Sequence, residues 1–327
     1  MSSVPLVSIV MPCYGYARYL RDCLDGVLAQ TLKCEIEIIA INDCSPDESL
    51  AILQEYASKD ARIRVINHEV NRGHIFTVNE GIAEARGKYL VRIDPDDRHH
   101  ACFLETLVPV LEADESIGLA YGNINIIDDR GSVTVERADS QHGGHDFTGN
   151  EFIPLLKKNF ICAPTVLARR EAWMAAWPVP EGLAFNDWYF NIMLARRWKF
   201  HYCDRVLADY RVHGSNHHSK ISVDGSEERS VMRLLQMVYA EAEPEAEQER
   251  QKQSAKGDVH ASQYLDFAHK YFGHRMRRDA RRCFAEAWRW QPGSFRRGPH
   301  LRLWLAAFLP AGIYDRVKTL FWGAKMP

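Results

Sequence analysis

The chain has 327 residues, and its 41 Lys and Arg against 43 Asp and Glu give a net charge of −2. That balance hides a split at Gly257: residues 1–257 carry 28 basic and 38 acidic groups, net −10, and residues 258–327 carry 13 basic and 5 acidic, net +8. Hydrophobic content of 46% and charged content of 26% exclude wholesale disorder, collagen and coiled coil, and the length predicts one large domain with a smaller one attached.

In chain order, Leu6–Met11 reads as a buried strand. Tyr16–Gln30 reads as a helix with Leu20, Leu24, Val27 and Leu28 on one stripe. Glu35–Asn42 is a second strand. Pro46–Ser58 is a helix with Pro46 in its first turn and acidic residues just after it. Arg62–Asn67, Ile75–Ala85 and Lys88–Asp94 continue as strand, helix, strand. This βαβα order predicts an α/β fold with a mostly parallel, doubly wound sheet. Ligands of such sheets bind at the carboxyl ends of the strands. Beyond residue 100, Phe103–Ala113 reads as helix and Ile117–Asn123 as extended, and residues 128–150 form a polar, Gly-rich loop or hairpin. Phe152–Lys158, Arg169–Ala176 and Asp187–Arg197 read as helices and Arg205–Val212 as a strand. Residues 240–257 are acidic, then polar, and read as a boundary or exposed helix. Ala268, Tyr271, Gly273, Ala280, Phe284, Ala287 and Pro292 have the spacing of one tetratricopeptide-like hairpin, or of a generic helical hairpin.

Eight cysteines (13, 23, 34, 44, 102, 162, 203 and 283) form no CxxC pair. That favours buried thiols in a reducing compartment over a disulfide frame or a zinc site. Cys13 and Cys44 read as small buried hydrophobes. The N-terminus lacks the basic region of a signal peptide, and the apolar run 303–314 is too short to span a bilayer and contains a proline. A cytoplasmic protein, soluble or peripheral on the inner face of the membrane, is expected. No GxGxxG follows the first strand and no GxxxxGK[ST] occurs, which disfavours a dinucleotide oxidoreductase and a P-loop. His213 and His217 make an HxxxH spacing without the Glu of a zinc protease, and HGGH at 142–145 reads as a flexible polar loop.

The strongest local signal is Asp94-Pro95-Asp96-Asp97, directly after a buried strand. Three carboxylates there repel one another unless a cation sits among them, and hard oxygen ligands suit Mg²⁺ or Mn²⁺. The alternative is an N-capping cluster for the helix near Ala101.

The segments VSIVMPCYGYARYLRDCLDGVLAQT, INDCSPDES and NRGHIFTVNEGIAEARGKYLVRIDPDD, in this order, resemble the nucleotide-sugar-binding half of the glycosyltransferase family 2 enzymes, which have the GT-A fold. The resemblance covers residues 6–123 well and continues thinly through Asn186-Asp187-Trp188 and Asp209–His213. It implies that Pro12 and Tyr14 wall the nucleotide base and that Asp43 hydrogen-bonds it. Asn42 and Cys44 stand where the family has Asp and Gly. Asp43 as a turn-forming Asx residue is the alternative. Asn71 and Gly73 match the next nucleotide-side loop. Asp94 matches the first carboxylate of the DXD motif, facing ribose or sugar, and Asp96 the second, the metal ligand. Asp97 would assist through water or contact the donor sugar. Asp187 matches the family's base, which removes the acceptor proton as attack develops. It could instead cap its helix, or do both, and Asn186 stands where Glu is usual. His213 would be a further metal ligand or diphosphate contact. Arg211 would neutralise phosphate charge, with an inward structural ion pair as the alternative.

The C-terminal segment packs Arg275, Arg277, Arg278, Arg281 and Arg282 into one predicted helix, and Arg289, Arg296, Arg297 and Arg302 follow. Phe284, Trp288, Trp290, Phe295, Trp304, Phe308, Phe321 and Trp322 are interleaved. Such a pattern can seat in an anionic membrane interface. The alternative is a solvated basic face over packed aromatics, or one that binds the acidic segment. No nucleic-acid module is recognised.

The expected organisation is a GT-A glycosyltransferase domain over 1–225 and a helical accessory region over 226–327. The expected activity is inverting transfer from a nucleotide-sugar donor, UDP-linked by family frequency, to a saccharide or lipid-linked acceptor, using Mn²⁺ or Mg²⁺. The alternatives are a catalytically weak binding scaffold of the same fold and, last, a sugar nucleotidyltransferase.

Overall fold

A computed structural model describes residues 4–214, 223–293 and 300–309. Strand and helix alternate as the sequence predicts: Val7–Cys13 (β1), Ala17–Leu28 (α1), Ile36–Asn42 (β2), Ser49–Lys59 (α2), Ile63–Asn67 (β3), His74–Glu84 (α3) and Tyr89–Arg92 (β4). Every residue of β1, β2 and β4 is buried, as a parallel strand covered by helices on both faces requires. Strand β3 alternates between buried and exposed residues because it forms one edge.

The chain continues through Arg98–His99 (β5), Phe103–Ala113 (α4), Ile117–Ile127 (β6), Val133–Val135 (β7), Phe147–Gly149 (β8), Phe152–Lys157 (α5), Leu167–Arg169 (β9), Arg170–Ala176 (α6), Asp187–Ala195 (α7) and Lys199–Arg211 (β10). The sheet runs β3-β2-β1-β4-β9-β6-β10-β5, with β7 added to β6 and β8 to β10. Strands β1 to β4 are mutually parallel, and so are β6 and β10. The short β9 lies antiparallel between β4 and β6. The two parallel sets therefore share one direction, and their carboxyl ends gather on one edge. This is a GT-A-like Rossmann sheet with a C-terminal helical extension.

Two local expectations change. Pro46, Asp47 and Glu48 precede α2 instead of filling its first turn. Asp47 accepts the Ser49 amide (3.0 Å) and the Ala17 amide (2.9 Å), so one carboxylate ties the starts of two helices. Strand β10 begins six residues earlier than predicted, because β6 and β8 pair with its first half.

The chain divides into two compact units: residues 4–152 with 159–214, and residues 153–158 with the described residues from 223 onward. The second unit holds Ser226–Ala240 (α8), Ala246–Gly273 (α9), Arg277–Trp290 (α10) and His300–Ala306 (α11). Helices α9 and α10 form the predicted hairpin, with Ala268, Tyr271, Ala280, Phe284 and Ala287 buried. It spans residues 246–290, longer than the roughly 34 residues of a tetratricopeptide unit. The 240–257 segment is not a plain exposed helix. Its Lys252 is wholly buried, ion-paired with Glu243 (2.9 Å) and Glu249 (2.8 Å). Gly257, where the charge changes sign, lies inside α9, so the charge split marks no structural boundary.

The arginines of this unit are largely engaged within it. Arg275 lies in the turn before α10, at φ 62°, not in the helix. Arg282 pairs with Glu228 (2.6 Å), and Arg277 donates to the carbonyls of Ala306 (2.9 Å) and Leu309 (2.6 Å). Arg281 lies over the Phe308 ring. Phe284 is core, whereas Trp288, Trp290 and Phe308 are exposed. Arg296, Arg297, His217, Phe295, Phe321 and Trp322 lie outside the described residues. Among the described residues no helix is long and apolar enough to cross a membrane.

Gly87, between α3 and β4, shows how tightly the sheet is covered. A Cβ there would lie 2.5 Å from the Ser8 backbone nitrogen, and the Gly87 amide donates to Ser8 Oγ (2.7 Å). Because the clash is with backbone, Gly87→Ala should lower the unfolding free energy in urea by about 1–3 kcal/mol. An unchanged transition midpoint would show that the β1–β4 pair yields at Ser8.

Candidate active site

On the carboxyl edge, β1, β2 and β3 end in step. The Asp43 amide donates to Cys13 O (2.9 Å), the His68 amide donates to Asn42 O (2.9 Å), and Asn42 Nδ2 donates to Asn67 Oδ1 (2.8 Å). This places Asp43 and His68 side by side, both buried. The Asp43 carboxylate accepts the amides of Arg72 (2.7 Å) and Gly73 (2.9 Å), and His68 Nδ1 lies 2.7 Å from its Oδ1. Asn71 closes the loop: its Nδ2 donates to Asp43 O (3.2 Å), and its Oδ1 accepts the Gly73 amide (3.1 Å). Gly73 sits at φ 87°, a conformation that glycine adopts without cost, and starts α3. Asp43 is thus no local Asx turn; it organises the next loop. Burial opposes its charge, but the two amides and the imidazole outweigh it and hold the carboxyl below its ordinary range.

The second half of the edge holds the acidic run. Arg92, the buried last residue of β4, donates to Asp94 Oδ1 (2.5 Å). Asp97 closes a turn on Asp94 O (3.1 Å), and its Oδ1 accepts the Arg211 amide (2.9 Å) from the end of β10. Two residues on, His213 Nε2 lies 3.0 Å from Asp96 Oδ2, with the His213 ring beside Tyr19 and Tyr16. Burial, with the charges of Asp96 and Asp94, pushes the Asp97 carboxyl well up. Burial and Asp94 also raise Asp96, against His213. The capping alternative does not hold: α4 starts after Cys102, with no side-chain cap.

Asp96 and His213 offer one hard oxygen and one imidazole nitrogen at a single point. Among the described residues no group of three His, Cys, Asp or Glu side chains converges as a closed metal site. Two protein ligands fit a divalent ion that completes its shell with diphosphate oxygens and water.

Asp187 opens α7, with Asn186 at the N-cap position. Asn159 Nδ2 donates to Asp187 Oδ2 (3.0 Å). Arg92 feels the charges of Asp94, Asp187 and Asp97 together, which sets Asp187 in the same electrostatic neighbourhood as the acidic run. Asn186 is buried; its Nδ2 lies 2.7 Å from His74 Nε2, linking this helix to the start of α3.

Most of the expected residues therefore share one edge: Asp43, Asn71 and Gly73 at one end, Asp94, Asp96, Asp97 and His213 at the other, and Asp187 across from Arg92. Pro12 is buried within β1, and Tyr14 is exposed just beyond it. Arg211 is the exception. Its guanidinium is buried and turned inward, pairing with Asp22 (2.5 Å) and donating to the carbonyls of Asp96 (2.7 Å) and Asp128 (3.2 Å). Of the two alternatives, the ion pair is the arrangement found. Cys44 also departs from expectation: it is exposed, at φ 57°, the region where the family's glycine is at ease. His142 of the HGGH loop is packed, bonded to Tyr121 OH (2.7 Å) and stacked on Phe147. Sequence reasoning missed Arg92, His68, Glu80 and Asn159. A charge inside the apolar run YLVRID was the available signal for Arg92.

The sequence profile described as "Glycosyl transferase family 2" matches residues 8–174. The chain is 42% identical over 112 residues to the uncharacterized glycosyltransferase EpsJ of Bacillus subtilis, covering 34% of this chain and 32% of that one. It is 32% identical over 162 residues to an uncharacterized glycosyltransferase of Haemophilus influenzae, covering 50% and 48%. The chain thus spans about a third to a half of the length of these curated relatives. In fold it is similar to the mannosyltransferase PcManGT from Pyrobaculum calidifontis in complex with GDP-Man and Mn²⁺, with TM-score 0.62, 14% identity and coverage of 98% and 88%. It is also similar to S. aureus TarS 1-349 in complex with UDP-GlcNAc, with TM-score 0.56, 15% identity and coverage of 89% and 91%.

The inward Arg211 makes a distinct prediction. Arg211→Met removes the buried guanidinium from Asp22 and from the Asp96 and Asp128 carbonyls, while Arg98 still reaches Asp22 (3.3 Å) and the Gly131 amide still reaches Asp128 O (3.1 Å), so chemical denaturation should show a loss of about 1–3 kcal/mol. Full stability with weakened nucleotide binding would instead return Arg211 to a ligand-facing role.

Proposed function

The chain belongs to glycosyl transferase family 2, and we propose that it is an inverting, metal-dependent glycosyltransferase. It moves a sugar from a nucleoside diphosphate donor to a hydroxyl of a saccharide or lipid-linked acceptor. The observation that carries this reading is the meeting of Asp96 and His213 on the same sheet edge as the Asp43 loop. Asp43, an acceptor-only carboxylate, suits a base edge that offers N–H, with uracil as the first choice. Asn71 and Gly73 hold the loop beneath it. Asp94 faces the ribose or sugar, and Asp97 supports the cluster from inside through the Arg211 amide.

Asp96 and His213 would hold Mn²⁺ or Mg²⁺, which supplies positive charge to the departing diphosphate. Asp187 takes the proton from the acceptor hydroxyl. The freed oxygen forms a bond to the anomeric carbon as the bond to the diphosphate oxygen breaks, and the leaving nucleoside diphosphate keeps that electron pair. Asn159, bonded to Asp187 Oδ2, orients the carboxylate and leaves its other oxygen for the hydroxyl. The setting proposed is assembly of a surface polysaccharide or glycolipid on the cytoplasmic side. Exposed Trp288, Trp290, Leu305 and Phe308, with exposed Arg278 and Arg302 in the same unit, support contact with an anionic membrane.

Release of nucleoside diphosphate from a panel of nucleotide sugars with Mn²⁺ tests the whole reading; no binding and no turnover of any donor would sink it. Asp187→Asn should lower kcat by about 10²–10⁴-fold with little change in donor affinity. Asp96→Ala should abolish the metal dependence of donor binding. A wild-type rate in the first variant, or intact metal dependence in the second, overturns that assignment. For the tail, flotation at low salt should recover the protein with anionic but not neutral vesicles; recovery with neither removes the membrane contact.

A further inference from the structure

His68 lies at the end of β3, buried, with a carboxylate at each ring nitrogen. Nδ1 is 2.7 Å from Asp43 Oδ1, and Nε2 is 2.6 Å from Glu80 Oε2 of α3. An ionised carboxylate can only accept a hydrogen bond, and a neutral imidazole has one N–H. Both contacts at once require both nitrogens to carry hydrogen. The geometry therefore describes an imidazolium between two carboxylates.

The two partners differ. Asp43 has a side-chain exposure of 4% and is fixed by the amides of Arg72 and Gly73; Glu80, at 27%, reaches solvent. The other groups near the ring do not compete for it. Phe76 meets it edge-on from α3, the Arg72 guanidinium lies over Phe76, and the Glu69 carbonyl is taken by the Cys44 thiol. We propose that His68 is the positioning residue of the nucleotide loop: as an imidazolium kept charged by Glu80, it fixes the Asp43 carboxylate on the amides of Arg72 and Gly73. The consequence for donor binding rests on the function proposed above.

Burial opposes the proton on His68, but Asp43 and Glu80 outweigh it and raise the ring above its ordinary 6.5. With the folded value raised, the clamp is fully present below pH 6.5 and is lost as pH rises through the folded value. Asp43, held low, sets the acid limit below its ordinary 3.8. When the proton leaves, Glu80 can turn to water and the ring keeps its bond to Asp43. The neutral ring should then be the Nδ1–H tautomer, and the hold on Asp43 should weaken without vanishing.

¹⁵N-histidine spectra of the ligand-free chain test this directly. His68 should be doubly protonated below pH 6.5, titrate above pH 6.5, and become the Nδ1–H form. Exchange protection of the Arg72 and Gly73 amides should fall through the same midpoint. Glu80→Gln should move that midpoint to lower pH. UDP affinity with Mg²⁺ should drop about fivefold across it, as expected when a charge-assisted bond becomes a neutral one. His68→Gln should bind UDP weakly, with a flat pH profile and an unchanged kcat at saturating donor. A ring already neutral below pH 6.5, an unshifted midpoint in Glu80→Gln, or amide protection indifferent to the titration overturns the positioning role. Absence of UDP binding at every pH would overturn the uridine reading of the loop, while the ring and amide measurements still decide the role of His68.

Discussion

A carboxylate taken out of water must be met by hydrogen-bond donors or by positive charge, and the carboxyl edge of this sheet is arranged around that requirement. Parallel strands bring Asp43, Asp94, Asp96 and Asp97 to one side of the molecule, where three of them are buried. Each is answered differently. Asp43 receives two amides and an imidazole, Asp94 a buried guanidinium, Asp97 a backbone amide from β10, and Asp96 the ring of His213. The positions of Arg92, His68 and the end of β10 follow from this demand as much as from packing.

The apolar periodicity of the first hundred residues carries the sheet, because the central parallel strands are mostly apolar, with Ser8, Glu37, Asn42 and Arg92 as their buried polar residues. What was harder to read was the part of the sheet made by pairing across long separations. Strand β9 has three residues, and β10 owes its first half to β6 and β8. Neither has a local signal strong enough to stand out. The acidic run was legible because Asp94-Pro95-Asp96-Asp97 ends a buried strand. The partners of those acids were not, since Arg92, His68 and Arg211 each look like an isolated charge until the fold supplies a neighbour. Arg211 shows the cost of reading a residue from motif position alone. The sequence leaves a phosphate contact and an ion pair equally open, and Asp22 resolves it toward the latter.

That correction gives Arg211 a use. Its side chain is spent on Asp22 and the carbonyls of Asp96 and Asp128, and its amide is spent on Asp97. The end of β10 is thereby pinned to the loop that carries the acidic run. His213 follows two residues later and falls on Asp96. Arg211 thus fixes, through bonds within the protein, where the imidazole lies relative to the carboxylate.

The two imidazoles of the edge then differ in what a neighbouring charge can ask of them. In the doubly protonated form proposed above, His68 gives hydrogen bonds from both nitrogens and has no lone pair to offer. His213 meets Asp96 through Nε2. An imidazole in that arrangement can exchange a shared proton for a shared metal ion, because Nε2 and Oδ2 already point at one place. The same residue type is thereby suited to neutralising Asp43 while protonated and to an exchangeable partner at Asp96. At His68, Glu80 occupies the second nitrogen and favours the charged ring beside Asp43.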